Sequence, residues 1–455
     1  MSRSRKRLDP FAQGNLFEDP PLSASAHEVA GSAEEDLMIV AVRPEVVSEA
    51  ISRVKRNGGA AGVDGMSVHE LSSFWRLHGE KICRVLVSGD YVPRPVRRVT
   101  IPKPGGGERM LGIPTVVDRV VQQMLLIVLE PRFEALFSDS SYGFRPNRSA
   151  HDAVMQARAY VASGLEWVVD IDLERFFDRV NHDVLMSRLA LRISDKRVLK
   201  LIRRFLSSGV MMDGVVTDTE EGTPQGGPLS PLLANVLLDD FDKELERRGL
   251  HFVRYADDCN IYVGSERSAA RVLETATNFL EVQLRLKVNR VKSASAPVSE
   301  RRFLGFTICR YANGAYVEIS DKSLRRFKDE IRKRSSRVRR IPAKQFMGEL
   351  NRYMTGWAGY YARTVTGNSQ LEPLDCWVRR RVRQWLWVQW KTPSKRYSHL
   401  IRAGTPDEIA TKLKWTKRIW WVSGHRCLER CINNSRIARA GLTSLLEHKK
   451  RLASL

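Results

Sequence analysis

The sequence predicts an α+β fold in two parts, a mixed body of strands and helices followed by an all-helical, basic end. Three observations predict it. Short β-prone runs alternate with helical stretches as far as about residue 318. Two of those runs, Phe252-Val253-Arg254-Tyr255 and Ile261-Tyr262-Val263, flank the pair Asp257-Asp258, which reads as a hairpin with both carboxylates at its tip. Near Asp321 the chain turns helical, strongly basic and rich in tryptophan, with eight of the ten Trp beyond residue 356.

The elements follow in order. Residues 1–36 mix Pro, Ser, Ala and charges without periodicity and read as a disordered or loosely docked tail. Pro44 to Arg56 reads as a short helix ended by Asn57-Gly58-Gly59. From Tyr91 to Ile113, β-prone segments flank Lys103-Pro104-Gly105-Gly106-Gly107, a strand pair with a flexible tip. A helix follows around Val117 to Phe137. Trp167 to Leu173 alternates, with Trp167, Val169, Ile171 and Leu173 facing one way and Val168, Asp170 and Asp172 the other. Ser230-Pro231 opens a helix with proline in its favoured first turn, and Gly249 closes it. After the hairpin come a helix from about Ser268 to Leu286 and the β-prone run Phe303 to Cys309.

Composition bounds the partners. The 455 residues carry 75 Lys+Arg against 52 Asp+Glu, a net +23 that makes a polyanion, nucleic acid first, the default partner. An anionic membrane is the rival, but no transmembrane-length apolar run, signal peptide or lipidation motif supports it. Six mostly scattered cysteines fit a reducing cytosol and argue against a disulfide framework. His425, Cys427 and Cys431 lie close together, but no second ligand pair accompanies them.

Asp172 ends its strand and is the natural third carboxylate beside Asp257 and Asp258. Three such groups at one sheet edge repel one another unless cations lie between them, and hard oxygen ligands suit Mg²⁺. A cluster of this kind can hold two ions about 3.5–4 Å apart for in-line phosphoryl transfer. Lys103 and Arg109 flank the glycine run, which is not a phosphate-binding Walker loop because no Gly-Lys-Ser/Thr follows.

Five blocks carry a resemblance. Trp167-Val168-Val169-Asp170-Ile171-Asp172-Leu173-Glu174-Arg175-Phe176-Phe177-Asp178 resembles motif A of reverse transcriptases. Gly222-Thr223-Pro224-Gln225-Gly226-Gly227-Pro228-Leu229-Ser230-Pro231 resembles motif B, and Tyr255-Ala256-Asp257-Asp258 motif C. Ser141-Tyr142-Gly143-Phe144-Arg145-Pro146 and Phe303-Leu304-Gly305-Phe306 add two further blocks, and their order and spacing resemble the group II intron reverse transcriptase/maturase type. The match runs from about residue 45 to 400 and more weakly beyond.

That resemblance implies a right-hand polymerase, with fingers and an antiparallel palm sheet in residues 37–318 and a helical thumb, maturase domain X, in 319–395. Residues 396–455 take the place of a basic DNA-binding region; no paired Cys-x-x-Cys follows, so second-strand cleavage is not expected. It implies Asp172, Asp257 and Asp258 as ligands of two Mg²⁺ (Mn²⁺ can substitute), helped by the Leu173 carbonyl, with Asp170 a supporting group. Lys103 and Arg109 would reach the incoming triphosphate, Phe177 would exclude a sugar 2′-OH, and Gln225 would pack near nucleotide and template. Lys292 matches a proton-donating lysine, with Lys287 its rival. Leu324, Phe327 and Ile331 recur at helical spacing within Ser323 to Arg340, and Arg325, Arg326, Arg332 and Lys333 crowd the other faces, as on a helix lying along a nucleic-acid backbone. Arg379, Arg380 and Arg381 belong to a second block of the same end.

The expected activity is RNA-directed DNA synthesis, together with binding of intron RNA for splicing and retrohoming. The expected partners are intron RNA, RNA template/DNA primer, target DNA and dNTPs, with no membrane. Two other readings stand beside it: a splicing-only maturase with a decayed polymerase, and a domesticated relative in DNA repair or phage defence.

Overall fold

The computed structural model describes residues 36–102, 108–212, 215–217, 221–222 and 226–454. Its strands are β1 (Val96–Pro102), β2 (Glu108–Ile113), β3 (Trp167–Ile171), β4 (Val210–Met212), β5 (Val215–Thr217), β6 (His251–Tyr255), β7 (Asp258–Val263), β8 (Ala294–Pro297), β9 (Phe306–Tyr311) and β10 (Gly314–Ile319). They form three sheets: β2-β1-β4-β5, β6-β7-β3-β8 and the hairpin β9-β10. All pairings are antiparallel except β1 with β4.

The second sheet carries the site. β3 is a central strand, paired Ile171↔Cys259 with β7 and Val169↔Ser295 with β8. Simple alternation predicts a polar second face for β3, yet Val168 is as buried as Val169 and Ile171. The helix Ala150–Ala162 lies across that face, and its Ala153, Val154, Ala157 and Val161 form a separate core with Val168, Val253 and Tyr262. Val169 and Ile171 face the main core, which the helices Val116–Glu134 and Ser230–Arg247 fill. A strand covered on both faces reads as apolar nearly throughout, and only Asp170 breaks the run.

The hairpin corrects one expectation. Tyr255 pairs with Asp258, so the turn residues are Ala256 and Asp257, and Asp258 is the first residue of β7. Ala256 holds φ +58°, a left-handed conformation costly for a residue with a Cβ.

Beyond β10 the chain is helical: Asp321–Arg334, Ala343–Tyr361, Leu371–Gln389 and shorter helices to Leu445–Ala453. Phe327, Ile331, Phe346, Met354, Val378, Trp385 and Trp387 build their shared core. The first helix stops at Arg334, six residues before the basic run ends, where Ser335 is buried and its hydroxyl donates to the Ile331 carbonyl (2.6 Å). Tyr360 and Tyr361 join this core to the strands, their rings tilted against Phe306 and their hydroxyls donating to the Leu304 carbonyl and the Ser323 hydroxyl. Among the described residues no helix is long and apolar enough to cross a membrane.

Candidate active site

Asp172, Leu173, Phe177, Asp257, Asp258 and Lys292 line one open cleft of about 1230 Å³. The same cleft is lined by Arg98 on β1, Met110 on β2, and Arg119 and Gln123 on the helix Val116–Glu134. Gly226 and Gly227 close one side, and both are needed where the chains crowd. A Cβ on Gly226 would come within 2.8 Å of the Gly112 carbonyl, and one on Gly227 within 2.5 Å of the Gln122 amide oxygen.

Asp172 is fixed through its backbone. Its N–H donates to the Ser293 hydroxyl (2.9 Å), and its carbonyl accepts from the Asn289 N–H (2.8 Å). The Glu174 N–H donates to the Lys287 carbonyl (2.8 Å), which closes the antiparallel bridge of Leu173 with Val288 from the other side. In such a bridge the central residue's own carbonyl points away from its partner, which leaves that of Leu173 free of the Val288 pairing beside the cleft.

Lys292 Nζ lies 3.1 and 3.2 Å from the two carboxylate oxygens of Asp172. Lys287 instead pairs with Glu174 at 3.1 Å. Only Lys292 of the two therefore touches an aspartate of the cleft.

Asp258 opens onto the cleft, yet the protein around it costs its carboxylate hydration. That desolvation, followed by the charges of Asp257, Asp170 and Asp172, pushes its pKa up to about 7. Asp170 rises to about 6, chiefly by burial, with Arg301 3.7 Å away opposing the shift. Once its amide is turned, Asn260 donates to Asp170 Oδ1 at 3.1 Å, a bond that fits the supporting role expected of that group.

Among the described residues no three carboxylate, histidine or cysteine side chains form a ready metal cage. The carboxylates repel one another, and the Lys292 ammonium balances part of their charge. The donor set nevertheless fits a hard cation: oxygen ligands alone, of like charge and open to one cleft.

The hairpin of Asp257 and Asp258 rests on a device that sequence reasoning missed. Arg254 is fully buried and pairs with Asp242 through one guanidinium edge, Nε donating to Oδ1 at 2.7 Å and Nη2 to Oδ2. Its Nη1 donates to the Asn235 amide oxygen (2.9 Å) and to the Ala256 carbonyl (3.0 Å), inside the strained turn. Asn235 Nδ2 in turn donates to the Gly143 carbonyl (2.9 Å). A Cβ on Gly143 would stand 2.2 Å from the Ala256 nitrogen, so the segment Ser141–Arg145 clamps the turn from outside. Burial opposes the charge on Arg254, but the Asp242 carboxylate beside it outweighs that cost and the guanidinium holds its proton more tightly than usual. The signal lay in the sequence as a charge inside the apolar run Phe252-Val253-Arg254-Tyr255, and as Asp242 among Leu238, Phe241 and Leu245 on the inner face of its helix.

Phe176 is buried in the main core, whereas Phe177 is half-buried, set edge-on to Phe176 at 5.2 Å and facing the cleft. Lys103 and Gln225 lie outside the described residues. For Arg109 the backbone alone is described, paired with Ile101.

Comparison with known proteins decides the family. Residues 101–308 match the family described as reverse transcriptase (RNA-dependent DNA polymerase), and residues 324–404 the group II intron, maturase-specific domain. The protein YkfC of Escherichia coli is 33% identical over 315 residues, covering 60% of this chain and 83% of YkfC. The chain belongs to the group II intron reverse transcriptase/maturase family. The group II intron-encoded protein LtrA of Lactococcus lactis is 36% identical over 214 residues, 47% of this chain and 35% of LtrA. A solved structure of a partial Cas6-RT-Cas1–Cas2 complex matches at 27% identity and a TM-score of 0.36, over 57% of this chain and 46% of that one. Proteins of this family use divalent metal ions and act on nucleic acid.

In this reverse transcriptase the maturase-specific domain begins on the basic helix Asp321–Arg334. Phe327 and Ile331 are buried there while Arg325, Arg326, Arg332 and Lys333 are exposed. The Arg379–Arg381 block is placed differently. Arg381 donates to the Ser335 hydroxyl (3.0 Å) and carbonyl (3.2 Å), and Arg380 to the Trp420 carbonyl (2.9 Å), so both tie helices together. Arg379 reaches the Cys376 sulfur (3.2 Å). Near the C-terminus His425 Nδ1 accepts the Cys427 N–H (3.2 Å), capping a short helix, and the Cys431 thiol donates to the His399 carbonyl (3.3 Å).

Proposed function

We propose that this chain extends a DNA primer on an RNA template using two Mg²⁺ ions, and that its helical end holds the group II intron RNA for splicing and retrohoming. The observation that carries the reading is the meeting of Asp172, Asp257, Asp258 and Lys292 in one cleft also lined by cationic finger residues. Asp172, Asp257 and Asp258, with the Leu173 carbonyl, would hold the metal, which when bound supplies charge neutralisation at the transferring phosphate and lowers the pKa of the attacking hydroxyl. The chain's own groups do the rest. Lys103, Arg109 and Gln225 orient the dNTP, and Arg98 adds cationic charge to the cleft. Residues 37–318 copy, 319–395 grip the template duplex and the intron, and 396–455 meet target DNA, all in the cytoplasm beside the nucleoid.

Lys292 carries the proton. An ammonium beside Asp172 stands where it can donate to leaving pyrophosphate. Lys292→Met is expected to lower kcat about 10²-fold with little change in the KM for dNTP, and to remove the solvent isotope effect on single-nucleotide addition. An isotope effect that persists at wild-type size assigns the proton to another group.

Phe177 gates the sugar. Phe177→Ala is expected to admit ribonucleotides, raising kcat/KM for NTP relative to dNTP about 10²-fold, a gap of roughly 3 kcal/mol. Unchanged NTP exclusion removes Phe177 from that role.

The test of the whole reading is primer extension on poly(rA)/oligo(dT) by the full chain with Mg²⁺. Templated synthesis is the expected result. Tight intron RNA binding without synthesis would leave a splicing-only maturase.

A further inference from the structure

The tryptophans of the helical end range from buried to exposed, with Trp357, Trp377 and Trp390 in between. Trp385 and Trp387 are fully buried, whereas Trp415, Trp420 and Trp421 are 68%, 56% and 53% exposed. Exposed indoles clustered within seven residues call for an occupant, since each leaves a large apolar surface in water. The positions of two are set in advance. The Arg380 guanidinium lies 3.6 Å from the Trp420 ring centroid, anchored by the Trp420 carbonyl and the Ser423 hydroxyl. Trp421 is tilted against the His425 ring at 5.1 Å. Between them opens a concavity of about 640 Å³, rimmed by the exposed Arg426 and Arg430. Glu429, the neighbour of Arg430 in the chain, is already paired with Arg383 at 3.1 Å.

We propose that this surface binds unpaired bases of a single-stranded polynucleotide. Bases stack on the open faces of Trp420 and Trp421, and Arg426 and Arg430 meet the phosphates. Stacking on fixed aromatic rings with flanking cations is how proteins take single strands without reading sequence. A protein partner would need a broad apolar face, and the one aliphatic side chain in the concavity is Ile409. Duplex nucleic acid offers its phosphates but not its base faces, which is the feature that separates this surface from the cationic helix Asp321–Arg334. This surface lies mostly within residues 396–455, so its assignment rests on the reading of that region as one that meets nucleic acid and not on polymerase activity.

The test is photo-crosslinking of the full chain to 20-nucleotide probes, a DNA strand carrying 5-iododeoxyuridine and an RNA strand carrying 5-iodouridine, with sites mapped by mass spectrometry. A crosslink at Trp420 or Trp421 is expected, removed by an excess of unlabelled single strand and not by blunt duplex. Whichever probe links more strongly names the source as DNA or RNA. Trp421→Ala is expected to weaken single-strand binding about tenfold at an unchanged unfolding midpoint, while Trp421→Phe, which keeps a ring, recovers most of it. No crosslink in this segment, equal competition by duplex, or equal binding by Trp421→Ala overturns the proposal. So does self-association of the wild type that Trp421→Ala abolishes, which would make the surface a contact between copies.

Discussion

Replacing Asp257 with alanine is expected to abolish primer extension, a fall of at least about 10³-fold in kcat, while binding of structured RNA stays close to wild type. Losing one ligand of a metal that neutralises the transferring phosphate removes several kcal/mol of transition-state stabilisation, and about 1.4 kcal/mol corresponds to each factor of ten. Asp257 is a turn residue, not a ladder partner, so its removal breaks none of the sheet pairing of β6 with β7. The exposed cations of the helix Asp321–Arg334 are untouched. Single-nucleotide addition under saturating dNTP, with filter binding of the same preparation, reads both halves. Synthesis near the wild-type rate would refute the metal role.

The second large effect is expected at a residue that meets no substrate. Asp242→Asn leaves the Arg254 guanidinium buried beside a neutral amide, and breaking a buried pair from one side costs about 3–5 kcal/mol. A lowered denaturation midpoint measures that loss. The more telling variant is the double replacement Asp242→Leu with Arg254→Met. Apolar side chains of similar volume restore much of the stability, but nothing then holds the Ala256 carbonyl, and the strained turn beside Asp257 is released. The expected outcome is a chain folded almost as stably as wild type that binds template yet has lost most of its kcat. If the double variant synthesises normally, the network is a matter of stability alone.

These two cases show how far the sequence reaches. Asp172, Asp257 and Asp258 were legible as a group because a strand ending at Asp172 and a hairpin bearing the other two read as neighbours in one sheet, and all three line one cleft. The Asp257-Asp258 pair was nonetheless placed one step off: the sequence shows a hairpin, but whether its tip is Asp-Asp or Ala-Asp depends on register, and register is set by what clamps the turn. Here that clamp is Gly143, more than a hundred residues earlier. Arg254, Asp242 and Asn235 were illegible as a group for the same reason, since each is an ordinary polar residue until the fold brings the three together. Val168 was assigned to a polar face because alternation cannot foresee a helix laid across it. The basic run from Asp321 was legible as a cationic helix. Which of the later arginines face solvent and which bind carbonyls of their own chain, as Arg380 and Arg381 do, was decided by packing.

The strand that carries Asp172 has no idle side. Val168 belongs to one core and Val169 to another, and both are closed to solvent. In close-packed interiors a change of one methylene is felt by its neighbours, so a disturbance of either core arrives at the same backbone and hence at the same carboxylate. Drift near this site is therefore constrained from two directions at once. A directed-evolution library built on one face of β3 will have to search the helix Ala150–Ala162 and the main core together, because relief for one core is strain for the other.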